Sequence, residues 1–226
     1  MNAKFDKEEQ QEVWNAIAEG WSGWRNRARK DVIQLSKDWK RGKLLDIGCG
    51  SGRNLFYFAS KGFDFYGVDF SKNMIGEAAK NLEKSGIDTK TRQKKERLVV
   101  ADMADIPFGD KFFDYCVSIA SFHHLPKEKQ EQGLNEIKRV LKKDGECIIS
   151  VWNKYSFKRP GFWFSPKETF VAWKRRENGA LKPYNRYYYL FSYSEFKKLV
   201  LKSGFQIKKS SGRFEENVTF LIKKKG

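Results

Sequence analysis

Cysteine is scarce and scattered. Cys49, Cys116 and Cys147 form no C-x-x-C pair and are odd in number, which excludes a disulfide framework or a zinc knuckle, and no metal site is expected. Cys116 and Cys147 also lie in apolar runs that disfavour a thiolate, so neither reads as a nucleophile. Nowhere do 18 apolar residues run together, and the opening Met1-Asn2-Ala3-Lys4-Phe5-Asp6 has no apolar core. A membrane-spanning helix and a signal peptide are therefore not expected, and the reading is a cytoplasmic chain without membrane insertion. Acidic residues are in short supply. The 28 Asp plus Glu stand against 45 Lys plus Arg, a formal charge of +17 that favours polyanionic partners over a merely solubilising surface.

What is present is apolar and aromatic. Hydrophobic residues make up 40% of the 226 and aromatics 15%, enough to fold one domain over 1–226 despite the charge. Helical spacing over 7–20 (Val13, Trp14, Ile17, Ala18) and again over about 24–39 predicts an N-terminal helical cap of about 40 residues. Strand and helix patterns then alternate: strands at 43–47, 63–68, 97–101, 112–119 and 145–152, helices at 52–61, 71–85 and 127–142. Such alternation predicts an α/β fold, a mostly parallel sheet with helices on both faces. A basic loop fills 88–97, and from 153 to 190 the periodicity fails in a segment rich in Trp, Phe, Tyr, Arg and Lys, read as an insertion over the site. A helix at 193–203 and strands at about 205–211 and 216–223 finish the sheet.

The chemistry centres on Leu44-Leu45-Asp46-Ile47-Gly48-Cys49-Gly50-Ser51-Gly52, a strand running into a glycine turn and a helix. Glycine takes positive φ freely and lets bare backbone approach a ligand. The dinucleotide fingerprint G-x-G-x-x-G would need a third glycine where Arg53 stands. Asp69 ends the second strand, where a carboxylate can accept both ribose hydroxyls of a nucleoside, a feature shared with NAD enzymes. Asp102-Met103 ends the third strand as an acid with an apolar neighbour. The turn resembles motif I of the class I S-adenosylmethionine (AdoMet) methyltransferases. That resemblance implies a Rossmann-like seven-stranded fold, AdoMet as cofactor and S-adenosylhomocysteine as product. It puts Gly48 and Gly50 beside the methionine and ribose, Asp69 on the ribose, and Asp102 and Met103 around the adenine. Asp46, Phe70, Met74 and Ala120 complete the expected cofactor set, Met74 having an equal reading as a core methionine.

The acceptor is read from the fourth strand and the insertion. Ser118-Ile119-Ala120-Ser121-Phe122-His123-His124 holds the chain's two histidines, and in an extended segment neighbours point opposite ways, so one of the two is expected to face the donor. No Asn-Pro-Pro-Tyr tetrad is present, which argues against adenine amino-methylation by that motif. These residues, with Val13-Trp14-Asn15-Ala16-Ile17-Ala18, Trp21-Ser22-Gly23-Trp24-Arg25, Phe170-Val171-Ala172-Trp173 and Asn185-Arg186-Tyr187-Tyr188-Tyr189, resemble the tRNA wobble-uridine (5-carboxymethyluridine) methyltransferases. Ala172 stands for that family's proline and Tyr189 for its histidine. The resemblance implies esterification of a carboxylate on an anticodon-loop uridine, with tRNA as partner and a small zinc-binding activator subunit as a second one. It makes His123, Arg25, Arg186 and Tyr187 the candidate catalytic residues. A carboxylate is already ionised at neutral pH and needs orientation more than a base; a guanidinium fork suits that role. Tyr187 and Trp173 are candidates for stacking on a splayed base, with core packing as the other reading. A small-molecule methyltransferase of the quinone or lipid-precursor kind, and a non-catalytic RNA-binding subunit on the same fold, remain the competing readings.

Overall fold

A computed structural model describes residues 4–23, 27–90, 96–177 and 179–225. The sheet has the order β3-β2-β1-β4-β5-β9-β8. Its strands are β1 (Lys43–Ile47), β2 (Asp64–Asp69), β3 (Leu98–Val100), β4 (Phe113–Ile119), β5 (Leu141–Trp152), β8 (Phe205–Ser210) and β9 (Asn217–Lys224). The first five run parallel, whereas β9 pairs antiparallel with β5 and β8 antiparallel with β9. Strands β1 and β4 are buried almost throughout, as expected of central strands covered on both faces. The helices are α1 (Lys7–Ser22), α2 (Lys30–Leu35), α3 (Arg53–Ser60), α4 (Lys72–Lys84), α5 (Gln130–Val140) and α6 (Tyr193–Lys202). Connections from β1 lead outward to β2 and β3, those from β4 lead the other way, and the chain reverses direction between the tips of β1 and β4. That switch point is where open α/β sheets bind ligands. Among the described residues, no helix is long and apolar enough to cross a membrane.

Two elements differ from the sequence reading. Helix α2 is six residues rather than the sixteen expected over 24–39. Its start is fixed by Asp31, which pairs with Arg29 and accepts from the Val32 N–H, and its end by Ser36, whose hydroxyl donates back to the Val32 carbonyl. The larger difference lies within 153–190, where β6 (Glu168–Glu177) and β7 (Ala180–Tyr189) form a ten-pair antiparallel hairpin. Residues Arg186–Tyr189 of β7 are all buried, so the period-2 signal is lost at that end, while the rest of the hairpin is exposed or half-buried. The readable signal was Asn178-Gly179 between two aromatic runs, a hairpin dipeptide, with Gly179 at φ +82°.

Helix α1 clamps this hairpin to the sheet. Asp6 caps it by accepting from the Glu9 N–H, and its buried residues Gln10, Trp14, Ile17 and Ala18 share one face. Gln10 is buried and bonds β7 twice: its Nε2 donates to the Asn185 carbonyl and its Oε1 accepts from the Tyr187 N–H, at 3.1 and 2.7 Å. On the other side the Asn15 Oδ1 accepts from the Ser71 hydroxyl and the Asn73 N–H, tying α1 to the start of α4. Gln10→Ala leaves a buried strand carbonyl and N–H unpaired, a loss of about 2–4 kcal/mol. Chemical denaturation should read that loss, and a variant as stable as the parent would show the clamp to be idle.

Candidate active site

A cleft opens at the tips of β1, β2 and β4, between the strand ends and helix α1. Its floor is the glycine turn. Gly48 has φ +70°, and a Cβ there would sit 2.4 Å from the Ser121 Cβ; the Ser121 hydroxyl in turn donates to the Ile47 carbonyl, locking the tip of β4 onto β1. Gly50, at φ +53°, faces the open cleft, and its N–H donates to the Asp69 Oδ2 at 2.9 Å. The Asp69 Oδ1 accepts from the Ser71 N–H at 2.9 Å, so each oxygen is aimed by one backbone donor and keeps a lone pair for a ligand hydroxyl. Phe70 and Met74 form one wall, and Asp102 and Met103 another. Ala120 stands at φ +54° at the lip, its N–H held by Ser150. The expected cofactor residues thus meet around one space, except Asp46, which lies beneath the turn and is fully buried.

The two acids carry the electrostatics. Burial pushes Asp69 up to about 6, with the Ser71 and Gly50 N–H groups pulling against it. Burial pushes Asp46 up to about 7, opposed by the Asn54 side chain and by Arg53. The hydroxyl-accepting Asp69 in the cleft fits a ligand that carries a ribose, as AdoMet does. Asp46 has a cost for the empty fold. Its folded pKa lies above the ordinary 3.8, so the folded chain holds a proton that the unfolded chain has released, and stability falls as pH rises from about 4 through 7. Asp46→Asn removes that charge and should stabilise the ligand-free protein by about 1–3 kcal/mol at pH 8, a gain that shrinks towards pH 4. Thermal melts across that window test this; a lower Tm at pH 8 would sink it.

Over the cleft lies α1. Phe5 and Lys7 at its start, and Trp14 and Trp21 along it, line the space, and the Lys7 ammonium pairs with Asp102 at 2.7 Å. Arg53 and Asn54, at the start of α3, line the opposite side. Sequence reasoning did not place Arg53, Asn54, Lys7 or Phe5 in the site. Arg53 was legible as the cation following the glycine turn; Phe5 and Lys7 come in only through the docking of α1.

Beside Trp14 and Trp21 sits Arg186. It is 5% exposed, and its guanidinium carbon lies 5.3–5.7 Å from the ring centres of Trp14, Trp21, Trp173 and Tyr188. Burial lowers its pKa, its Nε has no hydrogen-bond acceptor, and among the described residues no carboxylate pairs with it. Such a cage stabilises the cation through ring faces and a hydrogen bond to the Tyr188 side chain, while no carboxylate among the described residues neutralises its charge.

The remaining candidates are sorted by backbone parity. Tyr187 lies on the opposite face of β7 from Arg186 and Tyr188. It is 1% exposed, packed edge-on against Phe5 and Phe170 in the core, and outside the cleft. His123 is likewise in the interior: its Nδ1 accepts from the Trp152 N–H at 3.0 Å, and burial, with His124, Arg159 and Arg186, holds it well below the ordinary histidine range and hence neutral. The histidine lining the cleft is His124, whose Nδ1 lies 2.8 Å from the Tyr187 carbonyl. A carbonyl oxygen can only accept, so this Nδ1 carries a proton. Arg25 lies outside the described residues.

A family model described as a methyltransferase domain matches residues 45–149. The tRNA (carboxymethyluridine(34)-5-O)-methyltransferase of Schizosaccharomyces pombe is 26% identical over 228 residues, covering 90% of this chain and 91% of that protein. Its namesake in Xenopus tropicalis is 29% identical over 150 residues, 66% of this chain but 22% of that one. The chain likewise spans 35% of the bovine and human relatives it matches. Among solved structures, a Burkholderia thailandensis 1,6-didemethyltoxoflavin-N1-methyltransferase with bound S-adenosylhomocysteine superposes with a TM-score of 0.71 at 18% identity, over 100% of this chain and 94% of that one, a likeness of fold.

Proposed function

We propose that this chain, a class I AdoMet-dependent methyltransferase, esterifies a carboxylate carried by the wobble uridine of a tRNA. The observation that carries the reading is Arg186, a buried guanidinium without an anionic partner among the described residues, caged beside the cofactor cleft. Burying an unpaired charge is costly unless a ligand completes it. Fission-yeast and frog relatives named for carboxymethyluridine support that ligand being a carboxylate on RNA. The cofactor supplies an electrophilic methyl group: a carboxylate oxygen forms the new O–CH₃ bond as the S–CH₃ bond breaks, S-adenosylhomocysteine leaves, and no proton moves.

In this reading the residues divide the work. Asp69 holds the ribose, Arg53 receives the amino-acid carboxylate of the cofactor, and Arg186 grips the acceptor carboxylate in its two-pronged fork. Trp14, Trp21 and Trp173 exclude water around that ion pair and present flat faces to the base. The open outer edge of β3, with Val100 exposed, is the surface assigned to a small zinc-binding activator subunit; unchanged solubility and activity on co-expression would remove that partner.

The direct experiment is in vitro methylation of bulk tRNA with labelled AdoMet, followed by mass analysis of the nucleosides. A base-labile methyl ester on a carboxymethyl uridine is the expected product. Label appearing in a small-molecule extract and not in tRNA would replace this reading with the quinone or lipid-precursor one.

A further inference from the structure

Outside the cleft, the segment between β5 and β6 carries rings that the site does not use. Its backbone is thoroughly anchored. The buried Asn153 donates from Nδ2 to the carbonyls of Arg213 and Glu215, both at 2.9 Å, and its Oδ1 accepts from the Tyr155 N–H. The Lys154 ammonium donates to the carbonyls of Phe162 and Ser165, and the Trp163 Nε1 donates to the Ser156 carbonyl at 3.0 Å. Arg159 is pinned by Glu216 and lies 4.2 Å above the Trp152 ring.

This rigid loop holds its aromatics outward. Phe157 is 65% exposed and Phe164 95%, with Tyr155 and Phe214 exposed beside them. Phe157 stacks on Phe214 at 4.9 Å and leans on Trp163 at 5.8 Å. Exposed apolar clusters of this kind mark interaction surfaces. The charge around them is predominantly positive, with Lys202 paired to Glu131. Lys158 and Arg213 flank the rings, and Arg213 shares a shallow groove with Lys197, Lys198 and Lys202 of α6. Nearby acids are spent, Glu216 on Arg159 and Asp31 on Arg29, leaving Glu215 against the cations. Flat apolar faces within a cationic rim match a polyanion whose own rings are unpaired, single-stranded RNA. An acidic protein partner would match the rim but would have no need of stacking planes.

The patch is also coupled to the cage. Trp152 stacks on Tyr188 at 4.2 Å and on Phe162 at 5.7 Å, so the platform and the Arg186 site share one aromatic wall. The geometry points to a second RNA contact, in which Phe157, Trp163, Phe164 and Phe214 stack unpaired bases neighbouring the nucleotide held in the cleft. It rests on the tRNA reading above and extends it.

The test compares the full-length protein with the Phe157→Ala/Phe164→Ala/Phe214→Ala variant. Fluorescence anisotropy measures binding of a labelled anticodon stem-loop RNA and of an abasic strand of equal length. The expected result is at least a tenfold loss of RNA affinity with the abasic strand, AdoMet affinity and Tm unchanged. Should the triple variant lose Tm, Phe164→Ala alone, at a nearly fully exposed site, is expected to weaken RNA binding a few-fold, and no loss there overturns the proposal. Equal RNA affinity in a folded triple variant overturns it too, as does an abasic strand that binds the parent as tightly as RNA. Unchanged RNA affinity with loss of binding to an acidic protein would reassign the patch to that partner. A parent protein that methylates no tRNA defeats the tRNA reading and this one together. Methylation of tRNA by the triple variant at the parent's KM defeats this one alone.

Discussion

Replacing Asp69 with alanine is expected to weaken AdoMet binding at least a hundredfold in a calorimetric titration while leaving the protein folded. Two backbone N–H groups aim its oxygens, one from the glycine turn and one from the start of α4, so the carboxylate is positioned before any ligand arrives. Ribose hydroxyls donating to an ionised, buried acceptor make hydrogen bonds of about 1.5–3 kcal/mol each, and alanine forfeits both together with the anchor on Gly50. The sign of the pH dependence follows. Burial raises the folded pKa to about 6, so AdoMet affinity should be full at pH 7.5 and fall as pH drops through 6, when protonation removes acceptor capacity. The empty fold moves the other way, since the raised pKa costs about 3 kcal/mol of stability once pH exceeds 6. Asp69→Ala is therefore not expected to lower the Tm of the ligand-free protein much, the lost anchors being offset by the relieved charge. Asp69→Asn keeps the volume but sets an amide N–H against one of the two backbone donors, and should fall between. Near-normal AdoMet affinity in the alanine variant would show that the ribose is held elsewhere.

The cofactor half of the site was legible because each part is local. The glycine turn, Asp69 and Asp102-Met103 each end or follow a strand of three to six consecutive residues, and the parallel order brings those ends together. The acceptor half is not local. Trp14 and Trp21 come from α1, Trp173 from β6, and Arg186 and Tyr188 from β7, and nothing in the sequence of α1 states that Gln10 will pair with a strand some 175 residues away. Parity accounts for the rest. Arg186 and Tyr187 were expected to work together, yet neighbours on a strand face opposite sides, and Tyr188 is the ring that shares the Arg186 face. His123 and His124 divide the same way, but within a single 3-10 turn (Phe122–His124), where strand alternation could not decide between them. The hairpin was missed because Arg186–Tyr189 are buried without alternation, while its outer half is exposed and dense in charged side chains.

Arg186→Gln is expected to cut methyl transfer to tRNA by about 10³-fold or more while leaving AdoMet affinity within a factor of about three. Glutamine fills most of the cage and keeps a donor, so the loss isolates the charge and the second prong. The magnitude follows from where the guanidinium sits. At 5% exposure among four rings, water is a poor competitor for its donors, and a carboxylate bound there is oriented as well as neutralised. Arg186→Lys tests the geometry separately: it retains the charge but offers a single point of attachment, and should recover only part of the rate. A structural role alone would predict otherwise. Removing a buried cation that no carboxylate neutralises relieves desolvation, so the glutamine variant should be as stable as the parent or more so, and a fall in activity alongside a rise in Tm would separate function from folding. Arg53→Gln supplies the converse, raising the KM for AdoMet with less effect on the rate at saturation. If Arg186→Gln instead abolishes AdoMet binding, Arg186 holds the cofactor's own carboxylate and the acceptor must be gripped by another group. Equal transfer rates for parent and variant would remove Arg186 from the reaction altogether, and with it the ground for expecting a carboxylate acceptor.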